Sequence, residues 1–361
     1  MYSRILSEKF IGSVDRSNLI GVYEKWPIHA KHARKIKPSL PPDRMIKNVL
    51  FVGIGGSATS GDILQSCFRG IASVPLEVLR DYHIPNYVGK NTLVLAASCS
   101  GNTEETITAA YEAKIKGAIV TTISSGGILE EFSKKYGIPH TRTTTLQVPR
   151  ASLLYMLIPS INILHKIGII PSPQRDLNDL IDSLEKSYRK ITIRSPYRKN
   201  EAKAIAKKIL HHLPSIYSDI QLSPVAYRFK TSLNENSKAR ALQISFPELC
   251  HNEVLSWKKD DVIKAIPIFL RERNERPEVR ERFEAFASIL RKTGKSPLEV
   301  KADGNTPLGM IVSMIYMLDY TSLYLAVLRG VDPTPTQHID EIKMTLKKKL
   351  NYLENIMGPD R

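Results

Sequence analysis

The stretch FVGIGGSATSGD, residues 51–62, joins an apolar run to a glycine-rich turn. The apolar run predicts a strand buried on both faces of a parallel sheet, followed by a turn that opens a helix. Gly53, Gly55 and Ala58 fit the G-x-G-x-x-G/A spacing of a dinucleotide-binding turn. The same glycines followed by Ser57 also suit a single phosphate group. On this stretch alone both interpretations stand.

A second turn, SCSGNTEET at residues 98–106, favours the phosphate interpretation. Ser98, Ser100 and Thr103 supply hydroxyl donors, and the glycine between them allows a tight turn. The N–H groups of residues 102–104 are expected at a helix N-terminus, where the helix dipole favours an anion. Such a dense hydroxyl cluster suits a compact phosphate monoester.

Two other interpretations of these turns are weaker. A dinucleotide site needs a groove for adenine and an acidic residue about 20 positions beyond its first turn, where only Asp81 stands nearby. Ser-Gly-Asn-Thr taken alone is typical of a helix cap. Two phosphate-like turns on strands of one predicted sheet make a mere cap less favoured, so we expect a phosphate site.

Strand and helix patterns alternate along both halves of the chain, which predicts an α/β fold. The predicted strands are residues 48–54, 74–79, 92–98, 118–123, 215–220, 241–246, 262–270 and 296–302. The predicted helices are residues 59–68, 103–116, 151–167, 224–237, 277–293, 308–329 and 336–350. Crossovers of this length indicate two doubly wound lobes, each a mostly parallel sheet flanked by helices.

The breaker-rich segments place the predicted domain boundaries. Residues 1–48 form an N-terminal arm that is expected to pack on the first lobe. The first lobe is predicted to span residues 49–170, and GIIPSPQRD at residues 168–176 to link it to the second. The second lobe is predicted to span residues 171–361, including the C-terminal helix.

Composition limits the classes of function. The 361 residues include three scattered cysteines and no apparent signal core, which favours a reducing cytoplasm. We find no apolar run that approaches the roughly 20 residues of a membrane span. The net charge of +16 would attract polyanions, but it is spread along the chain, so a nucleic-acid partner is disfavoured. The nine histidines are dispersed, and no metal site is expected.

Four further motifs carry a family resemblance: VPRASL, FKTSLNENSKA, FPELCHNEV and DPTPTQHIDEIK, at residues 148–153, 229–239, 246–254 and 332–343. With the two glycine turns, they make the chain resemble the two-lobed SIS (sugar isomerase) proteins, and among them the archaeal and bacterial bifunctional phosphoglucose/phosphomannose isomerases. The resemblance implies aldose-ketose isomerisation between glucose 6-phosphate or mannose 6-phosphate and fructose 6-phosphate, in glycolysis and gluconeogenesis. It implies proton transfer through a cis-enediol without metal or cofactor.

The resemblance also implies the binding residues. The phosphate anchor comprises Gly55, Gly56, Ser57, Ser98, Ser100 and Thr103. Thr336 is expected beside the sugar C2 hydroxyl, although Thr334 in the same TPT sequence is an alternative. Two positions depart from the family pattern. Ala58 stands where a glycine is common, and Cys99, which we expect to be inert packing, lies between the two loop serines.

The catalytic roles follow from the same resemblance. Glu235 is the expected base that moves the proton between C1 and C2, with Glu253 as the alternative. His251 and Lys343 are expected to open the sugar ring, and Arg150 to stabilise the enediolate. In related isomerases the histidine reaches the partner subunit's site, so a homodimer is expected.

Two other functions remain open at this stage. A non-catalytic SIS regulator would keep both phosphate turns but need no base. Another SIS enzyme would act on a heptose, amino sugar or pentulose phosphate. The motifs of the second half count against the regulator.

Overall fold

The computed structural model describes residues 6–259, 262–301, 303–350 and 352–358. Its helices are α1 (Glu8–Val14), α2 (Leu19–Glu24), α3 (Trp26–Arg34), α4 (Gly56–Phe68), α5 (Glu104–Ile115), α6 (Gly127–Lys135), α7 (Leu153–Lys166), α8 (Gln174–Ile191), α9 (Glu201–Ile209), α10 (Ser223–Ser237), α11 (Pro277–Lys292), α12 (Pro307–Arg329), α13 (Gln337–Leu350) and α14 (Tyr352–Met357). Its strands are β1 (Asn48–Val52), β2 (Leu76–Leu79), β3 (Thr92–Ser98), β4 (Ile119–Ser124), β5 (His140–Arg142), β6 (Leu213–Ser218), β7 (Leu242–Ser245), β8 (Ala265–Arg271) and β9 (Leu298–Lys301).

The chain folds into two compact units. The first lobe comprises Lys25–Arg175 and Thr336–Arg361, and the second comprises Met1–Glu24 and Asp176–Pro335. The predicted α/β class, with two doubly wound lobes built on parallel sheets, is confirmed.

The sheet of the first lobe has the strand order β2-β1-β3-β4-β5, and every pair is parallel. All residues of β3 and β4 are buried, as expected of central strands covered on both faces. After β1 the chain adds β2 on one side and then β3 on the other. This change of direction makes a crevice at the carboxyl ends of β1 and β3, where ligands bind in such sheets.

The sheet of the second lobe has the order β7-β6-β8-β9 and is also parallel throughout. Among the described residues, α12 is the one helix that is long and apolar enough to cross a membrane. The statement that no apolar run approaches this length is therefore wrong for α12. The most apolar 18-residue stretch of α12 is 94% buried within the protein, as expected of a core helix. Helices α9 and α10 pack against it.

The lobe boundaries differ from the predicted ones at both ends of the chain. Of the predicted N-terminal arm, α1 and α2 belong to the second lobe, where the Tyr316 hydroxyl donates to the carbonyl oxygen of Tyr23 at 2.8 Å. Only α3 and the segment after it belong to the first lobe, with α3 packed on α7. The C-terminal helices belong to the first lobe, because Ile356 of α14 is buried in the same apolar cluster as Ile107 of α5.

The eight predicted strands and seven predicted helices all have counterparts within a few residues of their bounds. Sequence analysis predicted no range for β5, α1, α2, α3, α6, α8, α9 and α14. The predicted linker at residues 168–176 overlaps the start of α8, which begins at Gln174.

Candidate active site

The first glycine turn closes β1 and opens α4. Gly55 precedes the helix with a φ of 57°, a left-handed conformation that favours glycine. Gly53 is also constrained, since a Cβ there would lie 3.1 Å from the backbone nitrogen of Ala58 and 3.1 Å from the carbonyl oxygen of Ala97. Ala58 itself lies within α4, in ordinary helical conformation, so its departure from the family glycine does not open the backbone differently.

The second turn joins β3 to α5 through hydrogen bonds among its own residues. The Gly101 N–H donates to Ser98 Oγ at 3.1 Å, and Ser98 Oγ lies 2.8 Å from Thr103 Oγ1. When the Ser98 hydroxyl donates to Thr103 Oγ1, the Thr103 hydroxyl can donate its own proton to a bound anion. Ser98 is buried, so its part is to shape the loop, whereas Ser100 is exposed. The Asn102 N–H, expected to face the anion, instead donates to Ser100 Oγ at 3.2 Å.

The two turns are joined to each other. Ser57 Oγ accepts the backbone N–H of Cys99 at 3.2 Å, and the Ser57 hydroxyl keeps its proton for another acceptor. Cys99 is buried, with its Sγ 3.3 Å from Thr145 Oγ1, which fits the expected packing role. The predicted anchor residues therefore lie on two linked loops at the carboxyl ends of β1 and β3, where two helix N-termini meet.

A third loop, SSGG at residues 124–127, supports the second turn and was missed by sequence analysis. The Leu129 N–H donates to the Gly101 carbonyl oxygen at 2.8 Å, and the Ser125 N–H to that of Cys99 at 3.1 Å. A Cβ on Gly101, whose φ is 72°, would lie 1.8 Å from the carbonyl oxygen of Gly126. The paired glycines after β4 were the available signal, because such a pair permits two backbones to approach this closely.

Arg150 lies in the 3₁₀ turn Pro149–Ser152 of the first lobe and is 3% exposed. Two hydrogen bonds hold the turn at the two residues that follow the arginine. The indole N–H of Trp26, from α3, donates to the Ala151 carbonyl oxygen at 2.9 Å. Ser152 Oγ accepts the N–H of Leu146 at 2.8 Å. The arm helix α3 thus contributes directly to the placement of the predicted enediolate-stabilising residue.

Thr336 and Lys343 belong to the first lobe. Thr336 precedes α13, and its carbonyl oxygen accepts the N–H groups of Ile339 and Asp340. Lys343 lies seven positions further, two turns along the same helix, so both residues face one side of α13. Lys343 is exposed and Thr336 is half-buried.

Glu235 lies near the end of α10 in the second lobe and is half-buried. Its two asparagine neighbours form hydrogen bonds that hold the end of the helix. The Asn234 amide donates to the Ala239 carbonyl oxygen at 2.7 Å, and the Asn236 amide donates to Ser322 Oγ of α12 at 2.8 Å.

His251 ends the 3₁₀ turn Glu248–His251 of the second lobe, and it is exposed. The alternative base, Glu253, accepts a hydrogen bond from the Tyr217 hydroxyl at 2.9 Å. That hydroxyl also accepts the Trp257 indole N–H at 2.9 Å. Burial and the Glu253 charge raise the pKa of Tyr217, so the phenol stays protonated and keeps donating. Glu253 is therefore committed to holding its loop, which favours Glu235 as the base.

The structure distributes the predicted residues between the lobes. The anchor residues, Arg150, Thr336 and Lys343 belong to the first lobe; Glu235 and His251 belong to the second, on either side of β7 in sequence. Within the described part of the chain, no three His, Cys, Asp or Glu side chains cluster in a way that could hold a metal ion.

The two lobes, each built on a parallel sheet, and the linked glycine loops define a SIS-type phosphosugar protein. Residues 198–346 match the family described as the bacterial phospho-glucose isomerase C-terminal SIS domain. The chain is 34% identical over 304 residues to the bifunctional phosphoglucose/phosphomannose isomerase of Caldicellulosiruptor bescii, covering 83% of this chain and 90% of that protein. It is 31% identical over 304 residues to the isomerase of the same name from Aquifex aeolicus, covering 84% and 91%.

A solved structure shows the same fold. A hypothetical protein from Thermus thermophilus superposes with a TM-score of 0.67 at 16% identity, covering 92% of this chain and 89% of that one. From the sequence similarity, this chain belongs to the family of bifunctional phosphoglucose/phosphomannose isomerases.

Proposed function

We propose that this protein interconverts glucose 6-phosphate and mannose 6-phosphate with fructose 6-phosphate. The observation that carries the proposal is the Ser57–Cys99 link, which joins two helix N-termini into one hydroxyl-rich anion cradle in a chain of this family. A nucleotide-binding protein would not need the second loop of hydroxyl groups. A regulator would not need the second-lobe motifs around Glu235 and His251.

The proposed mechanism divides the work among side chains. Ser57, Ser100 and Thr103 donate hydrogen bonds to the phosphate, which fixes the sugar without taking part in the chemistry. His251 and Lys343 exchange a proton at the ring oxygen, because an imidazole titrates near neutrality and can act in either direction.

The proton transfer follows ring opening. Glu235 removes the proton from C2 of the open aldose and returns it to C1 of the cis-enediol, giving the ketose, while a hydroxyl proton moves from O2 to O1. The permanent charge of Arg150 stabilises the developing oxyanion. This sequence moves only protons, and it balances without electron transfer to a cofactor.

Solvent exchange tests this chemistry. In D2O, isomerisation from fructose 6-phosphate should place deuterium at C2 of the aldose product, because a protonated Glu235 exchanges with solvent. Glu235→Gln should retain substrate binding and lower kcat by at least ~10²-fold, the lower range for a general base. Glu253→Gln is the matched control and should retain most activity. Wild-type turnover by Glu235→Gln together with an inactive Glu253→Gln would move the base to Glu253.

We further propose a homodimer in which His251 acts in the partner's site. Its exposure on a short surface turn supports this arrangement. Mixing Glu235→Gln with His251→Ala tests it, because a mixed dimer would regain one complete site only if the histidine acts across the interface. Two inactive variants that stay inactive after subunit exchange would place both residues in one chain's site.

A further inference from the structure

A buried ion pair joins the helix that carries Glu235 to the core helix of the second lobe. Arg228 of α10 donates to Asp319 of α12 through Nη2 at 2.8 Å and through Nε at 3.2 Å. The side chains are 2% and 0% exposed. Two parallel hydrogen bonds fix the relative orientation of a guanidinium and a carboxylate more closely than a single contact can.

Further polar contacts join α10 to α12 and form a polar seam between the two helices. Ser232 Oγ donates to Asp319 Oδ1 at 2.5 Å, and Ser237 Oγ donates to the Ser322 carbonyl oxygen at 2.8 Å. Ser322 Oγ in turn donates to the carbonyl oxygen of Asp319 at 2.6 Å. Arg228 and Ser232 are four residues apart, and Glu235 is three residues further, so all three share one side of the helix.

The charges along this seam affect one another. Burial alone would lower the pKa of the Arg228 guanidinium, but Asp319, Tyr23 and Glu235 together raise it, so the group stays charged. Tyr23 Oη lies 3.4 Å from Arg228 Nη2. The charge of Glu235, two turns along α10, also acts on the guanidinium. The Lys238 ammonium donates to the carbonyl oxygen of Glu235, so it is a second positive charge near the base. A buried ion pair is weak evidence of stabilisation, since apolar replacements are often equally stable. Stabilisation alone therefore does not explain why this buried ion pair is present.

We propose that Arg228 and Asp319 are positioning residues for the catalytic base, with Asp319 fixing α10 on α12 and balancing the guanidinium charge that lies two turns before Glu235 on the same side of α10. This inference rests on the proposed function, because it takes Glu235 as the base. Two consequences follow. Loss of the pair should lower kcat more than it raises KM, since the phosphate anchor lies on other elements. Loss of either single charge should also move the pH dependence of the reaction.

Removing one charge of the pair should shift the acidic limb of the kcat/KM profile, and the two removals should shift it in opposite directions. A merely structural role would not produce opposite shifts. Asp319→Asn leaves the positive charge unbalanced and should shift the acidic limb of the kcat/KM profile to lower pH. Arg228→Gln leaves the negative charge and should shift it to higher pH. At roughly 10 Å and an effective dielectric constant of about 20, the shift is on the order of one pH unit. Shifts of the same sign, or none, in two folded variants would overturn the proposal.

Two further variants keep the test decisive if those proteins fail to fold. Arg228→Met with Asp319→Leu removes both charges and is expected to fold, because apolar pairs commonly replace buried ion pairs. We expect its kcat to fall about tenfold while the acidic limb stays within ~0.3 pH units of wild type. Wild-type kcat in this double variant would overturn the proposal. Arg228→Lys keeps the charge and should keep the wild-type limb.

A matched control separates a general destabilisation of α12 from an effect on the catalytic base. Asp179→Asn weakens the carboxylate contacts at Asn305 and Thr306, just before α12 begins, and should lower the melting temperature without moving the acidic limb. Glu235→Gln separates the assignment of the base from the positioning role of the ion pair. An active Glu235→Gln would refute the base assignment itself, whereas an inactive one with unmoved limbs in the Arg228 and Asp319 variants would refute only the positioning role.

Discussion

Ser57 Oγ and the backbone nitrogen of Cys99 lie 3.2 Å apart, which ties the turn after β1 to the turn after β3. Neither turn alone distinguishes a phosphate site from a nucleotide turn or a helix cap. Linked, they bring two helix N-termini and several hydroxyl groups to one edge of a parallel sheet. The phosphate anchor is thus a property of the pair of loops.

Ser100→Ala and Thr103→Val should mainly raise KM, because the phosphate is held alike in the ground and transition states. Steady-state kinetics with fructose 6-phosphate measure this, and inorganic phosphate should compete with the substrate. Ser60→Ala is the matched control, since Ser60 Oγ is buried in α4 without a hydrogen-bond partner among the described residues. An unchanged KM in both loop variants would contradict the anchor.

Gly101→Ala should raise KM at least tenfold, because the new Cβ would lie 1.8 Å from the Gly126 carbonyl oxygen and force the second turn to move. Gly117→Ala is the control: Gly117 has a similar φ of 77°, but nothing lies within 4 Å of its Cβ position. It should lower the free energy of unfolding by about 1 kcal/mol and leave KM unchanged. Equal effects of the two substitutions on KM would mean that the close contact does not shape the site.

Asp179 should make the second lobe sensitive to acid. Burial opposes its ionisation, but the N–H groups of Asn305 and Thr306 and the Thr306 hydroxyl lower its pKa below the usual value. A depressed pKa in the folded state gives stability that is complete above the unfolded pKa of ~3.9 and is lost as pH falls through the folded pKa. Urea unfolding from pH 6 to pH 3 measures the effect.

Asp179→Ala should cost about 1–3 kcal/mol at pH 7, because it leaves buried N–H groups unsatisfied. It should also flatten the acid dependence of the free energy of unfolding. The same slope in the variant and the wild type would assign the acid sensitivity to other carboxylates.

Thr336→Gln should change the ratio of glucose 6-phosphate to mannose 6-phosphate formed from fructose 6-phosphate. The two aldoses differ only at C2, and forming both requires room for the C1–C2 unit to rotate before reprotonation. A small threonine leaves that room, whereas a larger hydrogen-bonding side chain would hold one orientation. Thr334→Gln is the control, because Thr334 in the same TPT sequence is the alternative residue beside the C2 hydroxyl. An unaltered ratio for Thr336→Gln would remove Thr336 as the cause of dual activity.

The sequence predicted the central strands and the glycine loops well, because buried parallel strands and tight turns leave strong local signals. The strand β3 was placed correctly at both ends. The amphipathic helix α8 was missed because its start lies in a Pro-rich segment that resembles a linker. The assignment of α14 to the first lobe depends on the burial of Ile356 against α5, a long-range contact that no local pattern encodes.

The sequence predicted candidate residues for the site but not the contacts that they make with one another and with their neighbours. The sequence marked Glu235 and Glu253 as possible bases, and the structure distinguishes them through the contact between Glu253 and Tyr217. Trp26 carried no sequence signal for its bond to the Arg150 turn, because 125 positions separate it from Ala151. The paired glycines of the SSGG loop were visible in the sequence, but their role depends on the contact with Gly101, which only the structure shows.

The most direct test of the account is to follow fructose 6-phosphate with the purified protein in the presence of EDTA, resolving the aldose products by NMR. We predict that glucose 6-phosphate and mannose 6-phosphate both form, at rates that the chelator does not change. Formation of glucose 6-phosphate alone would contradict the dual activity. No conversion, or conversion abolished by EDTA and restored by a divalent metal, would contradict isomerisation by side chains alone.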